Sequence, residues 1–559
     1  MMKISYLIIS AMAMMSFCAC ENHDFEPLPV QDKGETSTPP SEGGVTVDPD
    51  ALYNGIKLPA QWPAKRNYAT QIRKGMTPSE FWSQPEIVYA TVGRQLFVDN
   101  FVVKSTTMRR TYHYPEVQDQ PVLTPDKEWE TNAKGTAKFA APFSDGVWYD
   151  EQDGKYKMWY MAANDATCYA ESADGINWTK PVLDVEAGTN IVRRGTVRDA
   201  SSIWIDKTGN GARYKMFEVA GGAGKWAYHY LTSTDGVHWR DQQAASGSVA
   251  DRSTVFYSPF RNVWAWSMRH NVRVNSTDPY TVRARDYMED TDPAAGNKNA
   301  KASLDCFWFG PWQSEQKWAQ NMDNDGAPGI YNHDAMPYES IMLGFFSVWQ
   351  GPENDVCNTL GMIKRNQIMV GYSRDGGYSY QRDDMSPFIA IDETAGSYRG
   401  GNLQSAIGSP IIVGDKLYFY FSARKMENKV EVTTTGLATL RRDGFASMSG
   451  SGLIVTQPML FDGNTLWVNA RIGGSLKVEI LDSNGNVLND YTTTLSTADA
   501  CAIKVVDGID GIVKNKAVSL RFTANDCDIY SFWVGDDTGH SNGYTAGGGP
   551  GLDASGIDK

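Results

Sequence analysis

The chain has 559 residues, 41% hydrophobic and 12% aromatic, with 17 Trp, 27 Tyr and a net charge of −14. That length allows two or three domains with a large core. The acidic balance argues against a nucleic-acid partner, because phosphate recognition needs clustered Lys and Arg.

Residues 1–20, "MMKISYLIISAMAMMSFCAC", combine an early Lys, an apolar run from Leu7 to Phe17 and small residues before Cys20. This is the pattern of a secretory leader, and the run is short for a membrane span. "Phe-Cys-Ala-Cys" resembles a bacterial lipobox with Phe in place of the usual Leu. The resemblance implies lipidation of Cys20 and an exported, envelope-anchored protein; simple secretion is the alternative. The following "ENHDFE" resembles the export signal of Bacteroidetes surface lipoproteins, which implies the outer-membrane surface. No other link to a membrane is expected. Cys18 leaves with the leader. Cys168, Cys306, Cys357, Cys501 and Cys527 show no Cys-x-x-Cys spacing, so no metal site is expected, and Cys501 with Cys527 is the candidate disulfide.

Residues 21–50 are rich in Pro, Gly, Ser, Thr and acids and read as a flexible linker. Residues 51–90 form an N-terminal extension with a helix start at Thr77-Pro78. From residue 91 short aromatic and β-branched runs alternate with Gly/Asp/Asn turns. "GKYKMWYMAANDATCYAESADGINW" is rewritten as "ARYKMFEVAGGAGKWAYHYLTSTDGVHW", and weaker copies begin at "STVFYSPFRNVWAW", "ESIMLGFFSVWQ" and "SPIIVGDKLYFYFSARK". Five such four-stranded units predict an all-β chain whose residues 91–449 form a five-bladed β-propeller. A pair of β-sandwiches is the alternative. The Asp-Gly is the outer hairpin turn, so Asp174, Asp235 and Asp375 are read as structural. Asp99 in "LFVDN" is expected on the strand that closes the ring. Residues 450–540, with the hairpin "KVEILDSNGNVLNDY", read as a C-terminal antiparallel β-sandwich. The Gly-rich residues 541–559 read as a loose tail.

"QLFVDNFVV", "FSDGVWYDEQDGKYKMWYM", "HDAMPYESIMLGFFSVWQG", "GGNLQSAIGSPIIVGDKLYFYFSARK" and "TGLATLRRDGFASM" resemble the five-bladed glycosidases of the invertase, levanase and arabinanase superfamily, above all its glycoside-hydrolase-family-32-like members. The resemblance covers residues 90–540 and implies a carbohydrate partner and carboxylates in a central funnel. Arg198-Asp199 matches the family's Arg-Asp but lacks its Pro. The Asn-Asp-Pro-Asn triplet of blade one and the Glu-Cys pair of blade three are missing, which puts fructosidase activity in doubt.

Glycoside cleavage needs one carboxyl as acid and a second to attack or to activate water. Funnel residues come from the first strand of each blade. The candidates are Asp145, then Asp199 and Asp251 at equal distances before their strands, and Glu339, expected as the acid. Arg198, Arg252, Arg269, His270, His333, Asp334 and the amide Gln404 are candidate sugar ligands, with Trp308 as a stacking surface. The favoured reading is a glycoside hydrolase without cofactor, acting as a monomer. It requires Asp199, Asp251 and Glu339 to share a face. A glycan-binding protein without turnover is the alternative and predicts no close pair of carboxylates. A structural propeller is the third reading.

Overall fold

The computed structural model describes residues 45–559 apart from 164, 196, 222–224, 274–280, 316–327 and 353. The leader, Cys20 and most of the linker lie outside the described residues. Alternating apolar runs and tight turns give five antiparallel sheets. Their inner strands are Ala141–Asp150, Arg198–Ile205, Thr254–Ser258, Gly329–Glu339 and Gly401–Ser405. Each inner strand packs beside the next and the fifth returns to the first, so the chain is a five-bladed β-propeller. Blade five is completed by an early segment: Glu116–Val117 pairs antiparallel with Val430–Arg441, and Ala137–Phe139 pairs parallel with it.

The repeated Asp-Gly turn is a latch between blades. In blade one Asp174 accepts the N–H groups of Ile176 and Asn177 at 2.8 Å, and Asp235 does the same for Val237 and His238 in blade two. These bonds hold the turn open so that its glycine carbonyl faces the neighbouring blade. Trp159 of blade one donates to the carbonyl of Gly236 at 2.7 Å, and Tyr420 of blade five donates to that of Gly175 at 2.6 Å. Inner strands are stitched likewise: Trp148 donates to Ile203 at 2.8 Å and Trp204 to Val255 at 3.0 Å. The repeated aromatics therefore fill the core between blades and also supply directional bonds across it.

Residues after the ring supply five strands of one eight-stranded sheet, whose long strands are Thr465–Leu481 and Ser519–Gly535. It encloses its own core, with Phe97, Val468, Leu476, Phe522 and Phe532 buried. Gln95–Leu96, Val103–Thr106 and Arg109–Tyr112 pair into this sheet. Asp99, expected on the ring-closing strand, lies in this segment and is held by Arg374 at 3.0 Å. Cys501 and Cys527, expected as a pair, are both free.

The tail is ordered, against expectation. It crosses the far ends of the inner strands, with Tyr149 donating to Gly547 at 3.0 Å and Ile412 to Gly548 at 2.9 Å. Tyr544–Thr545 pairs with Tyr338 and Glu339, and the Tyr544 ring stands 4.8 Å from Phe260 of blade three. Its glycines permit contact rather than motion. A Cβ on Gly547 would lie 2.1 Å from the carbonyl of Gly408, and one on Gly549 would lie 1.9 Å from that of Ile412.

Candidate functional site

At the end opposite the tail, the inner strands bring polar side chains together around the axis. Asp145 sits where the inner strand of blade one slips register between Ala141 and Gly146. Arg198 of blade two donates to it at 2.6 Å and to Thr167 at 2.7 Å. Asp145 is fully buried, and burial raises its carboxyl to about 6 against the pull of Arg198. Its second oxygen has no hydrogen-bond partner among the described residues.

Asp199 and Arg252 form the tightest unit. The Arg252 backbone N–H and its Nη2 each reach one Asp199 oxygen at 2.6 Å, while Nη1 donates to Gln404 at 2.6 Å. Blades two, three and five thus meet in one guanidinium. Arg252 adopts a positive φ of 58°, which turns its N–H toward Asp199. Burial would raise the Asp199 carboxyl, but Arg252 holds it below the usual range. Asp251 is paired with Arg269, and His270 with Asp286 at 2.9 Å. The Asp199 side chain keeps 15% of its surface exposed and that of Asp251 keeps 30%, so solvent reaches both.

Blade four alternates faces. Asp334 points to the axis and accepts from Ser144 at 3.0 Å, Asn332 at 3.0 Å and Ser405 at 2.5 Å. It is fully buried, and burial raises it to about 6 despite these donors. His333 points the other way, into a cage of Phe256, Trp308, Phe309, Phe346 and Tyr380. Burial and then Arg285 hold it well below the usual imidazole range, so it is a neutral core residue rather than a sugar ligand. Trp308 is also fully buried and donates to the carbonyl of Tyr378 at 3.0 Å; it stacks on protein rings, not on the funnel.

Glu339 does not join the other carboxylates. It ends the inner strand of blade four, where the tail crosses. There it accepts from Arg442 at 3.0 Å, Ser541 at 2.7 Å and the backbone N–H of Arg94 at 3.2 Å. Burial raises its carboxyl, opposed by Arg442 and Arg94. The expected acid is therefore a structural ion-pair member that ties the tail to the ring.

The throat also holds groups that the sequence reading missed. Phe143 is fully buried, with Arg252 4.9 Å and Arg424 5.0 Å from its ring centre. Tyr331 opens the blade-four strand region, and Lys364 approaches its hydroxyl at 3.3 Å. Arg285 is fully buried, donating to Ser267 and to the Arg252 carbonyl at 2.8 Å. Burial lowers its guanidinium to about 10. The polar pair Asn332 and Asp334 at strand spacing was the one available signal for the axis-facing set, and the register shift between Ile330 and Asn332 takes Tyr331 out of that alternation. Among the described residues no group of three or more His, Cys, Asp or Glu is placed to hold a metal ion.

No protein-family model matches the chain. No curated protein matches it either. Solved structures do resemble it. A putative glycoside hydrolase from Bacteroides ovatus ATCC 8483 is 14% identical with a TM-score of 0.35, covering 61% of this chain and 98% of that one. A family 43 arabinoxylan arabinofuranohydrolase from Bacillus subtilis is 11% identical with a TM-score of 0.33, covering 74% and 99%. A fructofuranosidase from Schwanniomyces occidentalis is 11% identical with a TM-score of 0.33, covering 76% and 98%. Likenesses at this level assign no activity to this chain.

Proposed function

We propose that the protein captures a carbohydrate chain at the open end of the propeller, and that recognition rather than cleavage is its role. One observation carries this reading: among the described residues the throat carboxylates that solvent reaches are neutralised, Asp199 by Arg252 and Asp251 by Arg269. A glycosidase needs a carboxyl that can reach the glycosidic oxygen and a second free to attack or to activate water. The residue expected as that acid, Glu339, is bonded to Arg442 and the tail instead. The solvent-reached Asp199 and Asp251, each fixed by its guanidinium, offer acceptors that suit sugar hydroxyls, while Gln404 is fully buried and spent on Arg252 and Asn402.

A second reading, glycoside hydrolysis, has one observation in its favour. Asp145 and Asp334 hold their protons up to about 6, the property that suits a general acid. Both are fully buried, so this reading needs the throat to open on binding. The deciding experiment pairs a binding assay with a reducing-sugar assay on a panel of plant, microbial and host glycans, with Asp145→Asn and Asp334→Asn alongside. Binding without release of reducing ends is expected. Release that vanishes in both variants would replace capture by hydrolysis. We further propose that Cys20 carries a lipid anchor that holds a monomer at the cell envelope.

A further inference from the structure

Charge in the throat is unevenly matched. Arg252 faces Asp199, and Arg424 faces Glu431 at 2.7 Å, so these two cations are each balanced by a carboxylate. Lys364 is not: among the described residues no carboxylate lies within 4.0 Å of its ammonium. It stands instead on an aromatic hydroxyl, 3.3 Å from the Tyr331 oxygen and 4.9 Å from the ring centre. The position is fixed, because the Asn402 N–H of blade five donates to the Lys364 carbonyl at 2.8 Å. Arg252 also acts on Tyr331, and its Nε–H is buried with no hydrogen-bond partner among the described residues. An ammonium held against a ring and a buried, unused guanidinium N–H both favour an incoming anion. A neutral sugar would leave that positive charge unanswered.

We propose that the throat is selective for acidic carbohydrate, with an anionic substituent, the carboxylate of a uronic acid or a sulfate ester, docking against Lys364, the Tyr331 hydroxyl and the Arg252 Nε–H. This rests on the capture reading and adds the class of glycan captured. The Tyr331 hydroxyl reports the same excess: burial would raise it, yet Lys364, Arg252 and Arg424 together lower it to about 7, against the opposing charge of Asp199.

The test is calorimetric binding to the intact chain in three arms: neutral arabino-, xylo- and galacto-oligosaccharides, oligogalacturonates, and sulfated galactan oligosaccharides that carry no carboxylate. One acidic arm should bind at least about tenfold tighter than the neutral arm. Which acidic arm it is distinguishes carboxylate from sulfate. Lys364→Met should remove the preference and Lys364→Arg should keep it. Equal or tighter binding of neutral sugars, or a preference that survives Lys364→Met, overturns acidic selectivity and leaves capture standing. Binding in none of the arms overturns both.

Discussion

Arg252 grips Asp199 twice, once through its backbone N–H and once through its guanidinium, both at 2.6 Å. The same guanidinium continues to Gln404 on blade five. Such a buried charge has no cheap replacement. Arg252→Met leaves Asp199 without its partner and should destabilise the fold by about 3–5 kcal/mol, read from urea unfolding midpoints. Arg252→Lys should recover only part of this, since an ammonium cannot serve two partners with a planar fork.

Asp145 and Asp334 make stability depend on acid pH. Each binds its proton more tightly folded, with a midpoint of about 6, than unfolded, where the usual value is 3.8. Their contribution is therefore fully present below pH about 4 and is lost as pH rises through about 6. Asp145→Asn and Asp334→Asn should each flatten this part of a plot of melting temperature against pH. A wild-type profile that instead rises steadily from pH 4 to 6 would mean that both carboxyls are ionised in the fold.

Glu339 should matter for stability and not for binding. Glu339→Gln breaks a fully buried ion cluster that joins Arg94, Arg442 and Ser541, at about 3–5 kcal/mol. Glycan affinity of the folded fraction should stay unchanged. A selective loss of affinity with unaltered melting would return Glu339 to the site.

The blade latch can be tested at one glycine. Gly236 has φ +79°, and a Cβ there would come within 2.7 Å of the Trp159 ring that donates to its carbonyl. Gly236→Ala should cost about 1–3 kcal/mol by thermal or urea unfolding, because strain and the displaced ring add. Gly209, which also has a positive φ but open space around it, is the control and should lose less on the same change.

Tyr331 gives the throat a second pH dependence. The groups facing it are Lys364, Arg252, Arg424, Asp199 and, 6.0 Å from its ring, Arg283. As pH rises through about 7 the phenolate supplies its own negative charge to these cations. Affinity for an acidic sugar should fall over that range, and Tyr331→Phe should remove the pH dependence. Titration calorimetry at pH 6 and pH 8 reads both.

Blades were legible because their signals are local. The Ser-x-Asp-Gly-x-x-Trp stretch writes a hairpin in seven residues, and Asp174 and Asp235 sit in their turns as that pattern demands. Asp145, Asp199 and Asp251 were expected at the inner strands, but their pairing with Arg198, Arg252 and Arg269 was not legible there. Glu339 was misplaced because its partners, Arg94, Arg442 and Ser541, lie far away in the chain and carry no local mark. Trp308 and His333 were read as facing the sugar because an aromatic in a strand looks the same whichever face it takes. Lys364 and Tyr331 meet only through the fold, 33 residues apart, one in the loop before the strand Arg365–Ser373 and the other on the inner strand of blade four. The tail was read as loose because Gly signals both freedom and close approach, and only the neighbouring carbonyls decide between them.

The tail that floors the ring also sets an order of assembly. Residues 95–112 leave the ribosome early, yet their strand partners lie within 446–535, and the hydrogen bonds from Tyr149 and Ile412 wait for Gly547 and Gly548. Blade-by-blade folding behind the growing chain can therefore form hairpins but cannot finish the ring's base. Until residues 544–548 are made, the nascent chain keeps unpaired strand edges and an open lower mouth, a state prone to sticking to its neighbours.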